Sequence, residues 1–161
     1  MHVTMYTEQL MLKREDIVMK AAVSFVHAVC RDDAALDPEI FHSDECSYFE
    51  SLLFQRRKSN FLLGRLSAKQ AASVLLREQN LRNISVETGV FGQPLLRTTG
   101  VPGYQVSIAH CDDIGTAVVF PEAHPMGIDI ERISPNRNKT MESQLTTEER
   151  ERIAAVRGVE E

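Results

Sequence analysis

The feature that most constrains this chain is a change in the period of its apolar residues. Between Phe61 and Arg77 the period is helical: Phe61, Ala68, Ala72 and Leu75 share one stripe, with Arg65 and Lys69 on its flank. From Ile84 onward the period drops to two. "ISVET" alternates, "GYQVSIAH" puts Tyr104, Val106 and Ile108 on one face, and "GTAVVF" reads as a further apolar strand. Side chains spaced for a helix cannot line one face of a strand, so the two regions must fold differently.

The remaining segments fall around that switch. Leu12 to Cys30 reads as a helix, with Ile17, Ala21, Phe25 and Ala28 at helical spacing. A polar segment, "RDDAALDPEIFHSDE", follows, and Ser43 is placed to cap a helix beginning at Asp44. Asn80 and Asn83 mark a helix exit, and "GVFGQP" supplies turn residues. "MGIDIERI" alternates as a strand, with Ile128 and Ile130 opposite Asp129 and Glu131. After the polar "SPNRNKTMES", Thr146 and Glu149 have capping-box spacing, with Gly158 at a plausible helix end. Helices dominate first and strands later, which predicts an α+β fold.

Composition narrows the class. The 161 residues suit one ordinary domain, with 43% hydrophobic and 25% charged residues. No apolar run reaches the roughly 18–20 residues of a membrane helix, and the N-terminus lacks a secretory layout. Three cysteines, Cys30, Cys46 and Cys111, without a CxxC spacing, speak against a disulfide framework or zinc site. The expectation is a cytoplasmic protein without a membrane partner. The net charge of −5 argues against nonspecific nucleic-acid binding, so any anionic substrate needs a local basic patch. "QRRKSNFLLGRLSAKQ" is the candidate.

Several constellations carry chemistry. Alternate residues of an extended segment lie about 6.5–7 Å apart on one side, so Asp129 and Glu131 can converge on one ion. Magnesium takes oxygen ligands and keeps waters or phosphates in its shell; spacing alone equally allows a solvated face with Arg132 as salt-bridge partner. His110 ends the strand "VSIAH", where an imidazole can contact a phosphate or simply bond within a loop. Cys111 is no nucleophile candidate, because Asp112 and Asp113 beside it would raise its pKa. Arg56, Arg57 and Lys58 precede the helix carrying Arg65 and Lys69, a pattern that serves phosphate binding or a wet surface. "VFGQPLL" alone is a turn.

In order, "GRLSAK" (Gly64–Lys69), "FGQP" (Phe91–Pro94), "VSIAHC" (Val106–Cys111) and "GIDIE" (Gly127–Glu131) resemble the 4′-phosphopantetheinyl transferases of the surfactin-synthetase-activating type. The resemblance spans roughly Ser43 to Ile153. It implies a phosphopantetheinyl-transferase-like fold with the first lobe at 1–125 and the start of a second at 126–161. It implies Mg²⁺-dependent transfer of 4′-phosphopantetheine from coenzyme A to a serine of an acyl or peptidyl carrier protein. Asp129 and Glu131 would hold the metal, and His110 would contact a coenzyme A phosphate. Arg65, Lys69 and Lys58 would help hold the nucleotide end. Gln93 stands where the family often has a phosphate-binding lysine, and Ala109 where it often has a serine.

The family's later tryptophan and Lys-Glu motif, whose glutamate completes the metal site and assists deprotonation of the carrier serine, has no match here. The expectation is therefore a chain holding one lobe and the opening of the next. Val118, Val119, Ile128 and Ile130 would lie near surface that the second lobe covers, favouring self-association or a complementary chain. The alternative reading is a non-catalytic coenzyme A or carrier-binding module, or a partial subunit.

Overall fold

The computed structural model describes residues 3–28, 36–98, 100, 102–133 and 143–157. Cys30, Gly158 and most of the "SPNRNKTMES" loop lie outside them. The chain divides into two compact units, Met1–Ile130 and Glu131–Glu161. Among the described residues no helix is long and apolar enough to cross a membrane.

The first unit opens with a long hairpin, β1 (Val3–Arg14) and β2 (Ile17–Ala28), paired antiparallel over their whole length. This corrects the helix expected over Leu12 to Cys30. The spacing of Ile17, Ala21, Phe25 and Ala28 was coincidental. β2 buries Ala22, Ser24, Val26 and Ala28 on one face, yet its more open face also carries Val23 and Phe25, so the apolar pattern does not alternate even though the burial does. The turn, Glu15–Asp16, also lacks the usual Asn-Gly signal; Glu15 supplies the positive φ of 53° itself.

Two helices follow, α1 (Ser43–Ser51) and α2 (Gln55–Leu76). α1 is capped by His42 rather than Ser43: its side chain accepts from Asp44 N–H, while Glu45 reaches back to the His42 N–H at 2.9 Å. α2 begins six residues earlier than its apolar stripe and closes on Arg77 in the left-handed region. A 3₁₀ turn at Leu81–Asn83 leads into β3 (Ile84–Thr88), which pairs with β4 (Pro94–Thr98) through the "GVFGQP" turn. β5 (Tyr104–Cys111) and β6 (Ile114–Pro121) then join the hairpin in one antiparallel sheet of order β1-β2-β6-β5.

α2 lies across one face of this sheet. Ala68, Ala71, Ala72 and Leu75 meet Ala22, Val106, Ala117 and Val119, with Ile84 and Val86 of the small sheet closing the same cluster. Small residues on the helix let it sit close. A Cβ on Gly115 of β6 would fall 2.7 Å from the Leu63 backbone, and one on Gly64 2.8 Å from Ile108 Cγ2. A second cluster joins Leu62, Leu63 and Leu66 of α2 to Phe41, Phe49 and Val26. Full burial of such side chains contributes about 1.5–3 kcal/mol each.

The opposite face is covered in part by the "GIDIE" segment. Met126 and Ile128 pack against Ala21, Val118 and Phe120, and Ile128 N–H donates to Ser107 Oγ at 3.3 Å. The segment keeps the alternating exposure expected of it, yet it joins no ladder, which corrects its reading as a strand. Val118 and Val119 are only 2% and 0% exposed. The expectation that they border uncovered surface is therefore wrong: Val119 faces α2, and Val118 lies in the cluster joined by Ile128.

In the second unit α3 (Thr147–Arg157) is capped as expected. Thr146 N–H donates to Glu149 at 2.8 Å, and Glu149 N–H donates to Thr146 Oγ1 at 3.3 Å.

Candidate functional site

Three of the four sequence motifs converge on one cleft of about 240 Å³ in the first unit. Its walls are Asn60, Phe61, Gly64 and Arg65 from α2, Gly92 and Pro94 from the β3–β4 turn, and Ile108 and His110 from β5. The convergence follows from the fold. Arg65 sits one residue past Gly64, where the helix presses onto Ile108. His110 pairs with Gly115 on β6 and so shares the sheet face that α2 covers. Gly92, at φ 82°, turns the loop back toward the helix.

Arg65 dominates the electrostatics. Its guanidinium carbon lies 4.9 Å from the Phe61 ring centroid, Nη2 donates to Thr88 Oγ1 at 3.4 Å, and the buried Nε has no partner. Burial pulls the guanidinium below its usual basicity, and Glu45 and Tyr48 partly restore it. A guanidinium in proteins stays protonated. The result is a half-desolvated cation with unused donor capacity, suited to a bidentate anion such as phosphate. His110 is exposed at the same cleft. Arg65 and Phe61 also form part of the wall of a neighbouring cleft of about 380 Å³, lined further by Tyr48, Ser85, Glu87 and Thr88.

The other expected ligands are placed differently. Lys69 is 0% exposed, and its ammonium lies 2.7 Å from Glu45 and donates to the carbonyls of Leu81 and Ile84. This corrects the expectation that Lys69 grips a nucleotide: every donor points into the protein. Lys58 is half-buried with its ammonium 5.3 Å from the Phe49 ring centroid, away from the cleft. Gln93 folds back on its own turn, where its Oε1 accepts from Phe91 N–H at 3.0 Å, while its neighbours Gly92 and Pro94 line the cleft.

Asp129 and Glu131 are both exposed, and Asp129 Oδ1 accepts from Ile130 N–H at 2.9 Å. Among the described residues no three His, Cys, Asp or Glu side chains gather as a metal centre.

Sequence reasoning missed Asn60 and Glu45. Asn60 precedes the apolar stripe of α2 and carried no signal. Glu45 is the hub behind Arg65: it accepts from Lys69, His42 N–H and, at 3.2 Å, Val86 N–H. A signal for it existed, since Lys69 lies among Leu66, Ala68, Ala71 and Ala72, and a lysine ringed by small apolar residues demands a buried counter-charge.

No family model matches the chain. A curated relative, a holo-[acyl-carrier-protein] synthase from Staphylococcus carnosus, is 29% identical over 92 residues, covering 54% of this chain and 78% of the relative. Among solved structures, a holo-(acyl-carrier-protein) synthase from Bacillus anthracis in complex with CoA (3′,5′-ADP) is similar at 26% identity and a TM-score of 0.47, covering 52% of this chain and 76% of that one. The four ordered motifs and the curated relative agree in kind: this chain is similar to holo-acyl-carrier-protein synthases, which are 4′-phosphopantetheinyl transferases.

Proposed function

We propose that the chain acts as a holo-acyl-carrier-protein synthase, moving 4′-phosphopantetheine from coenzyme A to a serine of an acyl or peptidyl carrier protein. The observation that carries this reading is the meeting of the "GR", "G-x-P" and "SIAH" motifs at one cleft, with the half-buried Arg65 cation in its wall. A phosphate of coenzyme A would lie against Arg65 and His110, with Asn60 offering a neutral donor. Phe61 would shield one side from water and so strengthen the charge-assisted bonds.

Asp129 and Glu131 fit magnesium by chemistry: both are hard oxygen donors, exposed and two residues apart. When bound, the ion would neutralise charge on the diphosphate as the phosphoryl group departs. The chain's own residues bind and orient. Arg65 fixes the nucleotide end, and the Ile128 to Ser107 hydrogen bond ties the "GIDIE" segment to the strand that bears His110. The reading places the chain in the cytoplasm with its substrate.

The test is the intact mass of an apo carrier protein after incubation with this chain, coenzyme A and Mg²⁺. A gain of one phosphopantetheine arm, lost on adding EDTA, is expected. An unmodified carrier contradicts transfer by this chain.

A further inference from the structure

The outer strand of the large sheet is unusual for a free edge. β1 runs for 12 residues, VTMYTEQLMLKR, without a proline, and its register with β2 is unbroken by a bulge. It is the end strand of the order β1-β2-β6-β5. Alternate residues turn their N–H and C=O groups away from β2, and among the described residues no strand pairs with that outer side. Edges normally carry lysines, prolines, bulges or a short length to prevent pairing. Here the charges are only Glu8, Lys13 and Arg14, and Met5, Tyr6 and Met11 are 49%, 58% and 63% exposed.

We propose that β1 pairs antiparallel with β1 of a second copy of this chain, joining two four-stranded sheets into one about a two-fold axis at Met11. With the axis perpendicular to the sheet, the faces covered by α2 stay on the same side, and residues of equal parity lie opposite. A register centred on Glu8 would set like charges against each other. Registers centred on Gln9 or Leu10 would leave Glu8 against a leucine. Centring on Met11 sets Glu8 opposite the second copy's Arg14 and Leu10 opposite its Leu12, each twice, with Gln9 beside Lys13. Opposite-charge and apolar cross-strand pairs stabilise a sheet, and directly opposed like charges destabilise it. The Tyr6 hydroxyl donates to Glu8 Oε2 at 2.8 Å, holding that carboxylate on the sheet face it shares with Arg14. Leu10 and Leu12, already half-buried beside Ala21 and Phe120, would extend the same apolar cluster across the axis.

Sedimentation of the full chain over a concentration series, with oxidative cross-linking, tests this. A monomer–dimer equilibrium is expected. Glu8→Lys, an exposed and foldable change, should weaken the dimer about tenfold through its two symmetric pairs, and adding Arg14→Glu should restore it. Met11→Cys should give a disulfide-linked dimer on oxidation, because residues facing each other at the axis sit about 5.5 Å apart. Met5→Cys, remote from the axis, should not. A monomer at every concentration, a charge swap without rescue, or equal cross-linking at positions 5 and 11 would overturn the proposal.

Discussion

The Lys69 ammonium lies 2.7 Å from the Glu45 carboxylate, with those side chains 0% and 5% exposed. Burial pushes Lys69 below its usual pKa, and Glu45 pulls it back toward the charged form. The pair joins α1 to α2, and through the Val86 amide and the Leu81 and Ile84 carbonyls it also fixes the start of the small sheet. A buried ion pair is costly to break from one side, since the remaining charge is stranded.

Lys69→Ala is therefore expected to cost about 3–5 kcal/mol of stability, read as a lowered urea midpoint. The combined change Glu45→Gln with Lys69→Met should be much milder. A Lys69→Ala protein of unchanged stability that fails only in coenzyme A binding would restore Lys69 to the surface role its sequence position suggested.

Arg65 is expected to behave in the opposite way. Its guanidinium borders the cleft with an unpartnered Nε, so Arg65→Ala should weaken coenzyme A binding about 10- to 100-fold, the loss of one or two bonds to a charged group. Titration calorimetry measures it. Arg65→Lys should recover only part of the affinity, because a point charge cannot replace a planar fork.

Gly115→Ala tests how tightly α2 is seated. The added methyl would meet Leu63 backbone atoms at 2.7 Å, and backbone cannot swing aside as a side-chain tip can. A loss of about 1–3 kcal/mol is expected, with displaced amide signals at His110, which pairs with Gly115. An unperturbed thermal midpoint would contradict the close approach.

The cap of α3 gives a pH dependence of known sign. Hydrogen bonds from the Thr146 backbone and hydroxyl hold Glu149 below the usual carboxylate pKa. A carboxyl lowered in the folded state contributes stability above its unfolded value, and that contribution disappears as pH falls through the lowered one. Protection factors in the first turn of α3, taken relative to the intrinsic exchange rate at each pH, should thus fall on acidification below about pH 4.3, the ordinary glutamate value. In Glu149→Gln that fall should be absent.

Much of this was legible from residue patterns where one face of an element is buried and the other is wet. β5 was read with Tyr104, Val106 and Ile108 on one face, and the Thr146–Glu149 cap was read outright. Legibility failed where apolar residues do not track burial. β2 carries Ile17, Val23 and Phe25 on its more open face as well as a buried face, and so imitated a helix, while Lys69, on a helix packed against both sheets, imitated a surface lysine. At the "GIDIE" segment the alternation was real, but its cause is packing of Ile128 on a sheet face rather than membership of the sheet. At the cleft, motif order named Arg65 and His110, while Asn60 and the supporting Glu45 emerged only from the way α1, α2 and the small sheet meet.

The most direct measurement of the central claim is an NMR titration of the full chain with 3′,5′-ADP, following backbone and imidazole signals. Saturable shifts are expected at Asn60, Arg65, Gly92 and His110, and they should vanish in Arg65→Ala while the fold is kept. Shifts scattered outside that cleft, or their persistence in Arg65→Ala, would contradict it.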